Sequence, residues 1–323
     1  MTQSSALIFA RRVAWIASIL ALCVVMLGAY TRLVDAGLGC PDWPGCYGKI
    51  IVPATQQAQT IYPETPLQTS KAWTEMIHRY LAGTLGLLII LLMFITLKAK
   101  QRRLIPTLLM LMLFLQAALG MWTVTLKLLP GVVMGHLLGG MTITALLWCF
   151  VATSYPSIGR ISNITFMWAL FALCVIAMQI ALGGWVSSNY AGIICPTFPT
   201  CQGSWWPPMD FTTAFDLFSP LGVNYQGGVL GNTARVTIHM VHRLGALITL
   251  LVVGGLGVWL WLREPKHRGL AIVLLLLLIA QISFGIMNAV WLLPLPIAVA
   301  HNGTAALLLL TTITLIHRVR QLN

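Results

Sequence analysis

The stretch Trp73–Leu81, W-T-E-M-I-H-R-Y-L, opens a long apolar run and sets an acid and an imidazole at its mouth. Glu75 and His78 are three residues apart, so a helix puts them on one face. Ionisable groups at the end of a membrane helix cost free energy and point to function. About 164 residues later the chain repeats the device as Thr237–Leu244, T-I-H-M-V-H-R-L. His242-Arg243 repeats His78-Arg79, and His239 stands where Glu75 stood.

Working outward, composition decides the class. Charged residues make up 8% of the 323 and apolar residues 58%, against about 25% charged in soluble domains. Apolar runs of about 20 residues recur along the chain. The reading is an all-α, eight-transmembrane-helix protein with spans near 13–30, 73–97, 104–126, 132–153, 163–185, 235–262, 269–292 and 296–316. The net charge of +12 does not indicate nucleic acid, because the basic residues lie in short loops between spans. Arg11, Arg12, Lys98, Lys100, Arg102, Arg103, Arg160, Arg263, Lys266, Arg268, Arg318 and Arg320 all fall on one side. Asp35, Asp42, Glu64, Asp210 and Asp216 fall on the other. The positive-inside rule then predicts cytoplasmic termini. Two long outer loops, near 31–72 and 186–234, carry aromatics suited to the interface.

Each outer loop holds a cysteine pair with five residues between, Cys40/Cys46 and Cys195/Cys201, read as disulfides in an oxidising compartment. Cys23, Cys149 and Cys174 lie in apolar runs and read as small buried hydrophobes. Span 1 follows Arg11-Arg12 as a signal peptide would, but an internal repeat argues for its retention. Gly28–Gly37 aligns without a gap to Gly183–Gly192, and both cysteine pairs keep the same offset. Gln116 and Gly120 match Gln281 and Gly285, and His136 matches His301. The chain therefore reads as two tandem four-helix-bundle repeats, residues 1–158 and 159–323.

His78, His136, His242 and His301 each lie in an even-numbered span, within about two turns of its outer end, about 5–10 Å deep. Two histidines facing across a bundle form an axial pair for a haem iron. Gly135, Gly139, Gly140, Gly303, Ala305 and Ala306 leave room for a flat macrocycle, and Arg79 and Arg243 are placed for propionates. A single zinc ion would need all four imidazoles to converge. His239 reads as a packing or supporting residue. His267 and His317 read as solvated or snorkelling. Glu75 separates the halves: a carboxylate one turn from its histidine can move protons near the macrocycle, or it pairs with Arg79 or Lys71. Arg32 and Asp35 serve either haem binding or an ion pair.

Gly28–Cys46 (G-A-Y-T-R-L-V-D-A-G-L-G-C-P-D-W-P-G-C), Glu75–Arg79 (E-M-I-H-R), Gly135–Gly140 (G-H-L-L-G-G), His239–Arg243 (H-M-V-H-R) and Ala300–Gly303 (A-H-N-G) together resemble the haem A synthase family. That resemblance covers nearly the whole chain. It implies a membrane enzyme that oxidises a ring methyl of haem O, through a hydroxymethyl species, to the formyl group of haem A for cytochrome oxidase. It implies substrate haem O between His78 and His136, and a haem b cofactor ligated by His242 and His301. Glu75 would act beside the substrate as a proton acceptor or as a stabiliser of a cationic intermediate. Cys40/Cys46 would be a disulfide above the substrate site, with Cys195/Cys201 stabilising the other loop.

The implied partners are haem O and haem A, membrane lipid, a haem O synthase and an electron acceptor, in a bacterial-type inner membrane with the cysteine loops outside. Leucine-rich faces permit a homo-oligomer. Two other classes compete. A dihaem b-type electron carrier predicts haems toward both faces of the bilayer. A membrane thiol oxidase uses the cysteine pairs and leaves the four histidines without a task.

Overall fold

The computed structural model describes residues 3–99, 103–155 and 161–319. In chain order the helices are α1 (Gln3–Leu33), α2 (Thr55–Ile61), α3 (Thr69–Lys98), α4 (Leu104–Thr125), α5 (Pro130–Ala152), α6 (Asn163–Ser188), α7 (Phe211–Ala214), α8 (Asn232–Arg263), α9 (Arg268–Val290) and α10 (Leu295–Val319). A 3-10 turn, Pro265–His267, leads into α9. Eight of these, all but α2 and α7, are long and apolar enough to cross a membrane. The eight expected spans are all present. Lys100, Arg102, Arg160 and Arg320, four of the charges used above to orient the chain, lie outside the described residues.

The packing follows side-chain size. Ala6, Ala10, Ala14, Ala17 and Ala21 repeat at helical spacing and are buried on one face of α1. Small residues let membrane helices approach closely, where no hydrophobic effect drives them together. That face also explains why α1 begins ten residues before the expected span: Ala6 and Ala10 pack into the core with Leu92, Ile95 and Phe150. Large apolar side chains such as Leu87, Leu111, Phe114, Leu251 and Leu276 point away from the protein, as lipid-facing residues do.

Helix contacts form two closed rings, α1–α3–α4–α5 and α6–α8–α9–α10, which meet through α1, α5, α6 and α10. At their seam Trp148 donates to Thr314 at 2.7 Å, and Gly184 lies against Met134 and Leu137. The α4–α5 and α9–α10 turns are built alike. Lys127 and Leu128, and likewise Leu292 and Leu293, take positive φ, and Leu128 and Leu293 each donate back to the residue five before, at 2.8 Å.

Two expectations are corrected. Cys23 and Cys174 are exposed on the outer faces of their helices and Cys149 is half-buried, because a lipid-facing position accepts a small apolar side chain as readily as a core does. His267 is buried, not solvated; the short 3-10 turn folds it inward, and its N–H donates to the Glu264 carbonyl at 2.8 Å. The two long loops each carry the expected disulfide-closed turn, together with a short helix that the sequence reading did not include.

Candidate functional site

The two outer loops are built on one plan. The disulfides Cys40–Cys46 and Cys195–Cys201 both form. Each is followed by a two-residue turn, Tyr47-Gly48 or Gln202-Gly203, with both residues at positive φ, the backbone of a type I′ turn and a place where glycine is favoured. Main-chain bonds close it between Cys46 and Lys49, and between Cys201 and Ser204.

An arginine from the helix below grips each loop. Arg243 gives one terminal nitrogen to the Pro199 and Thr200 carbonyls, at 3.2 and 3.0 Å, and the other to Cys195 and Thr197, at 2.8 and 2.9 Å. Arg79 bonds the Asp42, Pro44 and Gly45 carbonyls and pairs with Glu75. Both guanidiniums are thus engaged by their own loops. The propionate contacts expected of Arg79 and Arg243 would share these guanidiniums with the loop carbonyls.

Glu75 is buried, and its second oxygen accepts the Cys40 N–H at 2.9 Å. Of the two pairings considered above, Arg79 is the one formed. Its counterpart His239 is also buried, with Nδ1 2.8 Å from the Ala191 carbonyl. Both side chains fix helix to loop, one through a carboxylate and one through an imidazole. Asp42 turns its carboxylate to the N–H groups of Tyr47 and Gly48. Tyr47 is fully buried under this loop; burial first, then the charges of Asp42 and Glu75, pushes its phenol above its ordinary value. Nothing in the sequence pattern marked Tyr47, because its burial comes from the fold of the loop over α3.

Below the loops lie the four histidines. The His78 and His136 rings, from α3 and α5, are 6.5 Å apart between centres and steeply inclined. His242 and His301, from α8 and α10, lie within electrostatic reach of each other. Each imidazole edge rests on a glycine of the next helix. A Cβ on Gly28, Gly120, Gly183 or Gly285 would come within 3.0, 3.1, 3.3 or 3.2 Å of Cε1 of His78, His136, His242 or His301. The glycines singled out for a macrocycle behave differently. Gly139 and Gly140 face Gln116, Gly135 faces Leu119 and Gly303 faces Met26, so each admits a side chain of a neighbouring helix.

Three glutamines complete the surroundings. Gln116 donates to the His136 carbonyl at 2.8 Å and Gln179 to the His242 carbonyl at 3.0 Å. His301 Nδ1 lies 3.1 Å from the Gln281 carbonyl. Gln179 has no matching glutamine in the first half, so the repeat gave no signal for it. Arg32 and Asp35, left open above, form an ion pair at 3.4 Å. They also join the two rings, since Arg32 donates to the Ser187 carbonyl at 2.6 Å and Tyr190 donates to Asp35 at 2.8 Å.

The donor set suits a haem iron. A metal–imidazole bond of about 2 Å on each side, with half a ring beyond each, sets ring centres about 6 Å apart. The His78–His136 spacing meets that requirement, and His78 Nδ1 is a buried atom with no hydrogen-bond partner among the described residues. Among the described residues no three His, Cys, Asp or Glu side chains group to hold a bare ion, so the zinc alternative finds no site.

Comparison with known proteins agrees with this geometry. Residues 11–313 match the family described as cytochrome oxidase assembly protein, COX15-CtaA. The chain belongs to the COX15-CtaA family. A "Heme A synthase" of Shewanella oneidensis is 46% identical, the match covering 91% of this chain and 92% of that protein. Others from Parvibaculum lavamentivorans and Wolbachia pipientis are 26% and 28% identical, over 94% and 89% of this chain and 93% and 91% of theirs. The resemblance drawn from the motifs is borne out, and all of the COX15-CtaA match falls on the two rings and their loops.

Proposed function

We propose that this chain is a haem A synthase, with haem O held in the α1–α3–α4–α5 ring between His78 and His136 and haem b in the α6–α8–α9–α10 ring between His242 and His301. The observation that carries the reading is the His78–His136 pair, spaced for one iron and roofed by a loop that Glu75 holds. The two rings are tandem copies, residues 1–158 and 159–323, and the copy that retains a carboxylate is the one where oxidation occurs. When bound, haem b supplies a one-electron redox centre beside the substrate half.

The chain's own residues do the rest. His78 and His136 fix the plane of haem O, so that one edge of the ring meets the outer end of the bundle. Arg79 and the disulfide loop keep Glu75 in one place, where the carboxylate takes protons released as two successive two-electron oxidations, the first adding oxygen from water, turn the methyl group into hydroxymethyl and then formyl. By the charge bias of the short loops, both termini face the cytoplasm and the disulfide loops face outward in a bacterial-type inner membrane. A haem O synthase delivers the substrate, and an electron acceptor takes the reducing equivalents.

The test is the haem extracted from purified protein. Haem A or its hydroxymethyl precursor, found only when the intact chain is supplied with haem O, supports the synthase. Unchanged haem O alone, with a protoporphyrin haem in each half, is the result expected of the dihaem electron carrier.

A further inference from the structure

The two histidine pairs are not held equally. Gln179 sets its amide nitrogen 3.1 Å from His242 Nδ1 and 3.0 Å from the His242 carbonyl, so it grips the residue at two points. Its Oε1 is buried without a partner among the described residues. An Nε2 ligand to iron carries its proton on Nδ1, and turning the amide about its last bond sets Oε1 against that N–H in exchange for the bond to the His242 carbonyl. His78, at the equivalent place in the first ring, has no partner at Nδ1 among the described residues. His136 and His301 differ less: the Gln116 carbonyl faces His136 as the Gln281 carbonyl faces His301, but only the second closes a hydrogen bond.

The difference is written in two positions. Gln179 lies four residues before Gly183, the glycine under His242; four residues before Gly28, the glycine under His78, stands Val24. Three residues after His242 comes Gly245, and a Cβ there would lie 2.2 Å from Gln179 Oε1. Three residues after His78 comes Leu81. The first half keeps this arrangement only at His136, where Gln116 lies four residues before Gly120 and Gly139 three residues after the histidine; around His78 both the glutamine and the space for it are missing.

We propose that Gln179, admitted by Gly245, is the positioning residue that makes the second ring retain its haem, while His78, with no glutamine at its Nδ1 among the described residues, belongs to a site whose haem has to leave. This rests on the allocation of haem b to His242 and His301. A hydrogen bond at Nδ1 fixes the ring's orientation and strengthens it as a ligand, and losing such a partner costs about 10- to 100-fold in affinity. A substrate site gains from the opposite property.

The experiment follows haem b loss from the purified protein to excess apomyoglobin, together with the midpoint potential of the resident haem. Gln179→Leu and Gly245→Ala should each speed haem loss by about 10- to 100-fold and raise the potential, the second by displacing the amide from a helix that alanine favours. Gln179→Glu, which keeps an acceptor at Nδ1, should bring both values back toward those of the parent. Parent-like loss and potential in both Gln179→Leu and Gly245→Ala overturn the proposal, and the allocation of the halves then stands if His242→Ala still empties the b site. If His78→Ala empties it instead, the proposal and the allocation fall together.

Discussion

The carboxylate of Glu75 accepts the main-chain N–H of Cys40 at 2.9 Å, so the acid of the first ring is also the anchor of the disulfide loop above it. Its other oxygen pairs with Arg79, whose remaining bonds go to the same loop. Glu75→Gln keeps an acceptor for Cys40 and removes the charge. The expected result is unchanged haem content with formyl production lost. Glu75→Ala leaves the partly buried Arg79 without its carboxylate and the Cys40 N–H without its acceptor, and should add faster reduction of Cys40–Cys46 by a water-soluble reductant. Normal turnover by Glu75→Gln would make the acid a loop anchor and nothing more.

His242→Ala and His78→Ala should separate the two haems. The first is expected to lose the resident b-haem spectrum in the isolated protein. The second should keep that spectrum and fail to hold haem O. A full b-haem band in His242→Ala would reverse the roles of the two rings.

The spans were legible because lipid demands long apolar runs, and the four histidines because the repeat aligned them. Contacts that depend on how a loop folds were not legible. Arg79 and Arg243 read as interface cations, but three-dimensional placement of the disulfide loops brings main-chain carbonyls to them. Tyr47 looked like one aromatic among many until the loop closed over it. Gln179 escaped notice because a repeat reveals what the halves share, and this residue belongs to what they do not. His267 was misjudged since its charged neighbours suggested solvent, and a single 3-10 turn reversed that.

Gly28→Ala tests whether the imidazole seats matter. The new Cβ would meet His78 Cε1 at 3.0 Å, tighter than ordinary contact, and would tilt a ring that no described residue holds at Nδ1. Alanine also favours the helix by about 0.5–1 kcal/mol over glycine, so α1 itself should be no weaker. The expected outcome is reduced haem O occupancy with the b-haem content and thermal midpoint maintained. Loss of b haem in this variant would show that the two sites are not independent.

Replacing Cys195 and Cys201 together by serine tests whether the second disulfide takes part in the chemistry. A cross-link closing so short a loop contributes about 2 kcal/mol by limiting the unfolded chain. The loop does not depend on it alone, because Arg243 bonds four of its carbonyls and the Cys201–Ser204 turn has its own main-chain bonds. Thermal unfolding in detergent should therefore begin at lower temperature, while haem content and the yield of haem A per molecule of folded protein stay near those of the parent. Complete loss of turnover with both haem sites filled would instead make this pair a redox participant, and would return weight to the thiol oxidase reading.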